Sequence, residues 1–158
     1  MSRKQKFLVV CSAHEGGEAL KHAKALGKEV ERIYQQHFGP NTSATCIWLE
    51  LPKGQAYIAG YPSTATTVLA PVPDDIAQEQ RVTFMRDMCG IIQEHTGCDV
   101  NESIVTALNV SEAKRYAAVS RGRFNPRKAK GTMLKVLTRM LIARPSKGYL
   151  TTSLNMPN

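Results

Sequence analysis

Two stretches, KFLVVCSA at residues 6–13 and TTVLAPV at residues 66–72, decide how this chain folds. Both are rich in branched and apolar residues and read as strands. Each leads into the same order of elements. After Gly16-Gly17, residues Glu18 to Phe38 place Ala19, Ala23, Leu26, Val30, Ile33, Tyr34 and His37 on one helical face, and Gly39-Pro40 stops the run. After Pro73-Asp74-Asp75, residues Gln78 to Thr96 place Met85, Met88, Cys89 and Ile92 on one face, and Gly97 stops it. A strand comes next in each case, Ala44 to Leu51 and Ser103 to Val110. Short return strands are expected at Tyr57-Ile58-Ala59-Gly60 and at Tyr116 to Ser120.

The two halves superpose without a gap at an offset of 58 residues. Val10 falls on Val68, Leu26 on Phe84, Val30 on Met88, Ile33 on Ile91, Gly39 on Gly97 and Ile47 on Val105. Core type matches core type, which points to duplication and fusion of one β-α-β unit. The strands of each unit should run parallel through a right-handed crossover. Two units then make a four-stranded sheet with both helices on one face. The opposite face needs a cover, and symmetric self-association supplies one. This places one domain at residues 1–124, divided near residue 64, ahead of a basic helix and tail at 125–158. In that last segment Asn125 can cap and Pro126 suits the first helical position. Met133, Val136, Leu137, Met140 and Leu141 form a stripe, and Pro145 is expected to end the helix.

Charge is divided unevenly. Residues 1–112 hold 10 basic and 13 acidic side chains, whereas residues 113–158 hold 11 basic and none acidic. Such a tail suits an anion: nucleic acid, an acidic surface, a small carboxylate or phosphate, or the acidic body of the same assembly. No apolar run approaches the ~20 residues of a membrane span, and Phe7 to Cys11 is too short for a signal-peptide core. A cytoplasmic protein is expected. Cys11, Cys46, Cys89 and Cys98 form no CxxC pair and lie at no zinc-like spacing from histidine. They read as reduced thiols, with no metal and no cofactor expected.

Glu79-Gln80-Arg81 with its helix, Gly97, and Asn101-Glu102-Ser103-Ile104-Val105 resembles the helix–glycine–strand passage of small tautomerases such as 4-oxalocrotonate tautomerase. The fused length, Lys21-His22-Ala23, Tyr57-Ile58-Ala59-Gly60 and Gly122-Arg123-Phe124 resemble the cis-3-chloroacrylic acid dehalogenase group, over roughly residues 5–126. The resemblance implies an α+β protein of the tautomerase/MIF-like fold. It also implies a homotrimer packed around a central barrel, with pockets near subunit boundaries. In that family catalysis rests on an N-terminal proline, a secondary amine whose pKa is lowered by burial near cations. The resemblance puts Gln5 at the proline's position, and Gln5 has no titratable amine. Loss of Met1 would expose Ser2, at the end of a short extension.

The family's other functional residues are also replaced. Its first-helix histidine falls near Arg32. Its two carboxylate-binding arginines fall on Pro73-Asp74-Asp75-Ile76-Ala77, where an acidic pair would repel a carboxylate. Ser120 stands for a glutamate, and Ala107 to Asn109 stand where a tyrosine belongs. Arg123 alone keeps its motif. The resemblance therefore implies a tautomerase-superfamily protein without the proline amine, unable to do the standard tautomerase or dehalogenase chemistry. It would bind a small anionic ligand or use a different residue set. Two alternatives stand beside this: a protein binding nucleic acid or an acidic partner through its basic C-terminal region, and a structural oligomer without activity.

The remaining residues supply the candidates. Arg121 and Arg123 can clamp an anion. Lys6 opens strand one and can replace the missing amine if its pKa is lowered. His14, in the loop after strand one and close to Ser12, is the acid–base candidate. Tyr57 and Tyr116 can line pockets. His37 and His95 sit at helix ends, where the macrodipole favours a cation.

Overall fold

The computed structural model describes residues 5–122 and 126–153, with the side chains of residues 120–129 outside that description. Strand β1 (Gln5–His14) leads through the short helix α1 (Glu18–Lys21) and helix α2 (Ala23–Phe38) to strand β2 (Thr42–Leu51). A small hairpin, β3 (Tyr57–Ile58) and β4 (Tyr61–Pro62), precedes the second unit. That unit consists of strand β5 (Thr66–Val72), helix α3 (Gln78–Thr96), one 3₁₀ turn (Val100–Glu102) and strand β6 (Ser103–Asn109). Helices α4 (Val110–Gly122) and α5 (Pro126–Lys147) and strand β7 (Leu150–Ser153) complete the chain.

The sheet order is β6-β5-β1-β2-β7. Within each unit the two strands are parallel, and the units join by antiparallel pairing of β1 with β5, Cys11 opposite Val68. This is the expected four-stranded arrangement, with β7 added in parallel to the outer edge of β2. Alternation decides the faces. Phe7, Val9, Cys11 and Ala13 of β1, Cys46 and Trp48 of β2, and Val68, Ala70 and Val72 of β5 are buried beneath α2 and α3. The two helices meet through Tyr34 and Phe84, edge to face at 5.1 Å. The Tyr34 hydroxyl donates to the Pro71 carbonyl at 2.7 Å, which satisfies a polar atom in the core.

The other sheet face has no cover among the described residues. Leu8 is 52% exposed and Ile104 is exposed, with Val10, Ile47, Leu49 and Leu69 half-buried beside them. The apolar stripe of α5 is likewise open: Met133, Leu137 and Leu141 are exposed, and Leu134 and Ile142 widen it.

Three local expectations are corrected. The return strand at Tyr116 to Ser120 is part of α4, because Glu112, Ala113, Lys114, Arg115, Ala117 and Ala118 are good or tolerated helix formers. Helix one is broken at His22, whose ψ of 6° caps both α1 and α2. Pro145 lies inside α5, in its last turn, where it costs one hydrogen bond only. The helix ends instead at Gly148, whose φ of 77° suits glycine and whose N–H donates to the Arg144 carbonyl at 2.9 Å. The proposed cap Asn125 lies outside the described residues.

Candidate functional site

A cavity of about 140 Å³ lies at the end of the sheet where β1 stops and β5 and β6 begin. His14, the last residue of β1, lines it. A turn comes directly after it: the Gly17 N–H donates to the His14 carbonyl at 3.0 Å, and Gly16 has a φ of 75° at the turn's third position, where glycine is favoured. Gly17 must be bare for another reason. A Cβ there would lie 2.7 Å from His14 Cε1, 2.9 Å from Nδ1 and 3.0 Å from the His14 carbonyl oxygen. The imidazole is therefore seated against the Gly17 backbone. Its Nδ1 is buried without a hydrogen-bond partner among the described residues, a state that buried polar atoms rarely occupy without a purpose.

The second unit and the link leading into it supply the opposite wall. Thr64, Thr66, Thr96, Cys98 and Glu102 line it. Glu102 accepts from the Thr64 hydroxyl at 2.8 Å, and Cys98 Sγ lies 3.3 Å from the Ser103 hydroxyl. Glu18, on the first unit's side, is held by Lys21 at 2.5 Å, and this contact keeps its carboxyl below the usual carboxylate range. Two carboxylates and one imidazole thus face a small cavity of mixed polar and apolar lining that includes no lysine or arginine among the described residues. Such a set suits proton transfer on a neutral or cationic molecule and disfavours an anion.

The other end of β1 holds Gln5 and Lys6. The Gln5 backbone N–H donates to the Asn41 carbonyl at 3.1 Å, so this amide is part of the sheet ladder. Lys6 is exposed. Nearby on the second unit, Arg81 donates to the Ala107 carbonyl at 3.1 Å and to Asn109 Oδ1 at 2.6 Å, tying α3 to the end of β6. Asp74, expected to repel carboxylates, accepts from the Ser111 N–H at 2.9 Å in the first turn of α4, and that bond lowers its pKa.

Tyr57 and Tyr116 do not line the His14 cavity. Tyr57 is 61% exposed on the β3–β4 hairpin and Tyr116 is 67% exposed on α4. The side chains of Arg121 and Arg123 lie outside the described residues. His37 bonds Asp87 at 2.7 Å and so links α2 to α3, a pairing added to its helix-end position. The four cysteines are free. A contact with Cys46, together with burial, pushes the Cys11 thiol up, as for an inert core thiol. Among the described residues no group of three or more His, Cys, Asp or Glu side chains could hold a metal ion. None of their helices is long and apolar enough to cross a membrane.

Sequence reasoning singled out His14 but missed Gly17 as its seat and Glu102, Thr64 and Thr66 as its neighbours. The antiparallel pairing of β1 with β5 brings the first residues of β5 to the end of the sheet where β1 finishes, and the 58-residue repeat does not by itself give that pairing.

No known protein family and no curated protein matches the chain by sequence. Solved structures do match its fold, each over 65% of this chain. Fused 4-OT, solved as a symmetric trimer, is 19% identical with a TM-score of 0.58 over 85% of its own chain. A member of the cis-3-chloroacrylic acid dehalogenase family is 11% identical with a TM-score of 0.58 over 74% of its chain. A protein inactivated by 2-oxo-3-pentynoate is 26% identical with a TM-score of 0.57 over 84% of its chain. The antiparallel junction of two β-α-β units, their helices on one face and these likenesses agree: this chain has the tautomerase-superfamily fold in its fused, two-unit form.

Proposed function

We propose that this protein is a self-associating tautomerase-fold protein that transfers protons on a small, uncharged carbonyl compound at the His14 pocket, without an amino-terminal amine. The observation that carries the reading is the imidazole of His14, seated on Gly17 with Nδ1 unpartnered, facing Glu18 and Glu102 across a cavity of about 140 Å³. In this reaction the C–H bond next to a carbonyl breaks, its proton passes to the imidazole, and the electron pair becomes the enol or enolate. The imidazole then returns the proton to oxygen or to carbon. The Thr66 hydroxyl and the Thr64–Glu102 pair serve to position the carbonyl group. Neutral substrates fit because the lining carboxylates repel anions.

The amine-free part of the reading rests on Gln5. It opens β1, is a glutamine, and uses its backbone N–H in the ladder. Phenylpyruvate and 2-hydroxymuconate, which are anions, should therefore be turned over no faster than in buffer. Robust turnover that vanishes on deletion of residues 2–4 would refute the amine-free reading.

Self-association is part of the same proposal. The open sheet face and the α5 stripe together exceed what single scattered apolar residues explain. Three of the fused 4-OT structures of this fold are trimers. A trimer places the sheet faces of three copies against one another and leaves α5 to bridge neighbours. Burying about three of its stripe side chains contributes ~1.5–3 kcal/mol each, against at most ~1 kcal/mol for a surface ion pair. Deleting residues 126–158 should therefore dissociate or destabilise the assembly at both low and high salt. A truncated protein that keeps its oligomeric state and melting point, but loses a salt-sensitive affinity for oligonucleotide, would move the function to nucleic acid.

A further inference from the structure

A second, larger cleft lies on the first unit, where the C-terminal segment docks. Its cavity is about 460 Å³. Helix α2 supplies Lys24 and Lys28 along one wall, and the end of α5 supplies Arg144 on the other. Trp48 lines the floor. None of the three cations has a hydrogen bond or ion pair with a described residue, although the chain's other charged side chains form several such pairs. One carboxylate, Glu31, faces the cleft, so positive charge predominates. Trp48 is 1% exposed, and its indole nitrogen is buried with no hydrogen-bond partner among the described residues. A basic rim above an unsatisfied buried donor is an arrangement that an anionic oxygen completes.

The cleft exists because the C-terminal segment is anchored. Lys147 donates to Glu50 Oε1 at 2.5 Å, and the Thr151 hydroxyl donates to the same oxygen at 2.7 Å. These bonds hold β7 against β2 and set Arg144 opposite α2. Gly148, with φ 77°, turns the chain from α5 into β7 beside α2. Ala23, Gly27 and Ala44 keep the walls small and apolar.

We propose that this cleft binds a small organic polyanion, its phosphate or carboxylate head held by Lys24, Lys28 and Arg144 at the mouth of the cleft above the buried Trp48. The site is separate from the His14 pocket and stands whether or not that pocket is catalytic. Trp48 is the chain's single tryptophan, so its indole N–H gives one resonance that reports the cleft alone. The full-length protein, labelled with ¹⁵N, is titrated at constant ionic strength with inorganic pyrophosphate in one arm and citrate in the other. A saturable shift of the indole resonance is expected in at least one arm, which identifies the head group. Lys28→Ala and Arg144→Ala, both exposed positions, should each weaken that binding about tenfold, as loss of one charge-assisted contact does. Arg139→Ala, on α5 but not lining the cleft, should leave it unchanged. The proposal is overturned if neither anion shifts the resonance up to about 10 mM, well above a millimolar dissociation constant. It is equally overturned if Arg139→Ala weakens binding as much as Arg144→Ala, which is the result for an unspecific basic surface.

Discussion

Gly17→Ala isolates the contact that seats the proposed catalytic imidazole. The backbone at Gly17 has φ −69° and ψ 157°, which alanine adopts freely. Without steric conflict the substitution would stabilise the fold by ~0.4–1 kcal/mol through the unfolded chain. The conflict is large, however. The new methyl would lie 2.7 Å and 2.9 Å from two ring atoms of His14 and 3.0 Å from its carbonyl oxygen, against an ordinary contact of 3.4–4 Å. Forcing a methyl into such a space costs ~1–3 kcal/mol. The net expectation is a loss of about 1–2 kcal/mol, or a melting point lower by ~2–4 °C per kcal/mol in a chain of this size. In a His14→Ala background the ring contacts are gone and only the carbonyl contact remains. Gly17→Ala should then be milder by about 1 kcal/mol, a coupling of the size seen for residues in direct contact. Melting curves of the wild type, both single variants and the double variant close the cycle. Equal shifts from Gly17→Ala in the two backgrounds would refute the seating of His14 on Gly17.

Tyr34→Phe should lower stability by ~0.5–1.5 kcal/mol, because it removes the 2.7 Å bond to the Pro71 carbonyl inside the core; an unchanged denaturant midpoint contradicts this. The Glu50 carboxylate raises the Lys147 pKa above its unfolded value, so the pair's contribution is fully present below the ordinary lysine range and is lost as pH rises through the raised value. Lys147 is 44% exposed, which limits the effect to at most ~1 kcal/mol. Hydrogen exchange in β7 should therefore show extra loss of protection at strongly alkaline pH in the wild type. Lys147→Met should abolish that pH dependence, and a persistent dependence would assign it elsewhere. Light scattering at micromolar concentration should give three times the 17.4 kDa chain mass; a monomer would leave the open sheet face unexplained.

Where burial imposed a period, the fold was legible in the sequence. The period of Met85, Met88, Cys89 and Ile92 marked α3 from Gln78 to Thr96, although the fully buried face is Phe84, Met88, Ile91 and Ile92 with Met85 and Cys89 at its edge, and Gly97, with φ 64°, ended it. The 58-residue offset holds in the helices, where Leu26, Val30 and Ile33 match Phe84, Met88 and Ile91 as buried residues, but it slips in the strands, where half-buried Val10 falls on buried Val68 and buried Cys11 on half-buried Leu69. Where contacts are polar or absent, the pattern fails. Residues Tyr116 to Val119 are exposed throughout, so nothing in them marks α4 except helix propensity. β7 reads as a polar tail because Thr151 and Thr152, not apolar residues, are what it buries. Its register depends on Thr151 reaching the Trp48 carbonyl and Glu50, a hundred residues earlier in the chain. The site was half legible. His14 was marked by its place at the end of a strand, but its partners Cys98 and Glu102 come from the second unit, Thr64 from the link between the units, and none shares a motif with it.

Proton exchange with deuterated solvent tests the central claim most directly, since it reads C–H cleavage without knowledge of the natural substrate. A panel of small neutral ketones and aldehydes is incubated with the protein in D₂O, and loss of the C–H signal next to the carbonyl is monitored by proton NMR. At least one compound should exchange faster than in buffer, the acceleration should persist when residues 2–4 are deleted, and it should vanish in His14→Gln. Exchange that survives His14→Gln, or that disappears with residues 2–4, would contradict the account, as would a panel in which nothing exchanges above buffer.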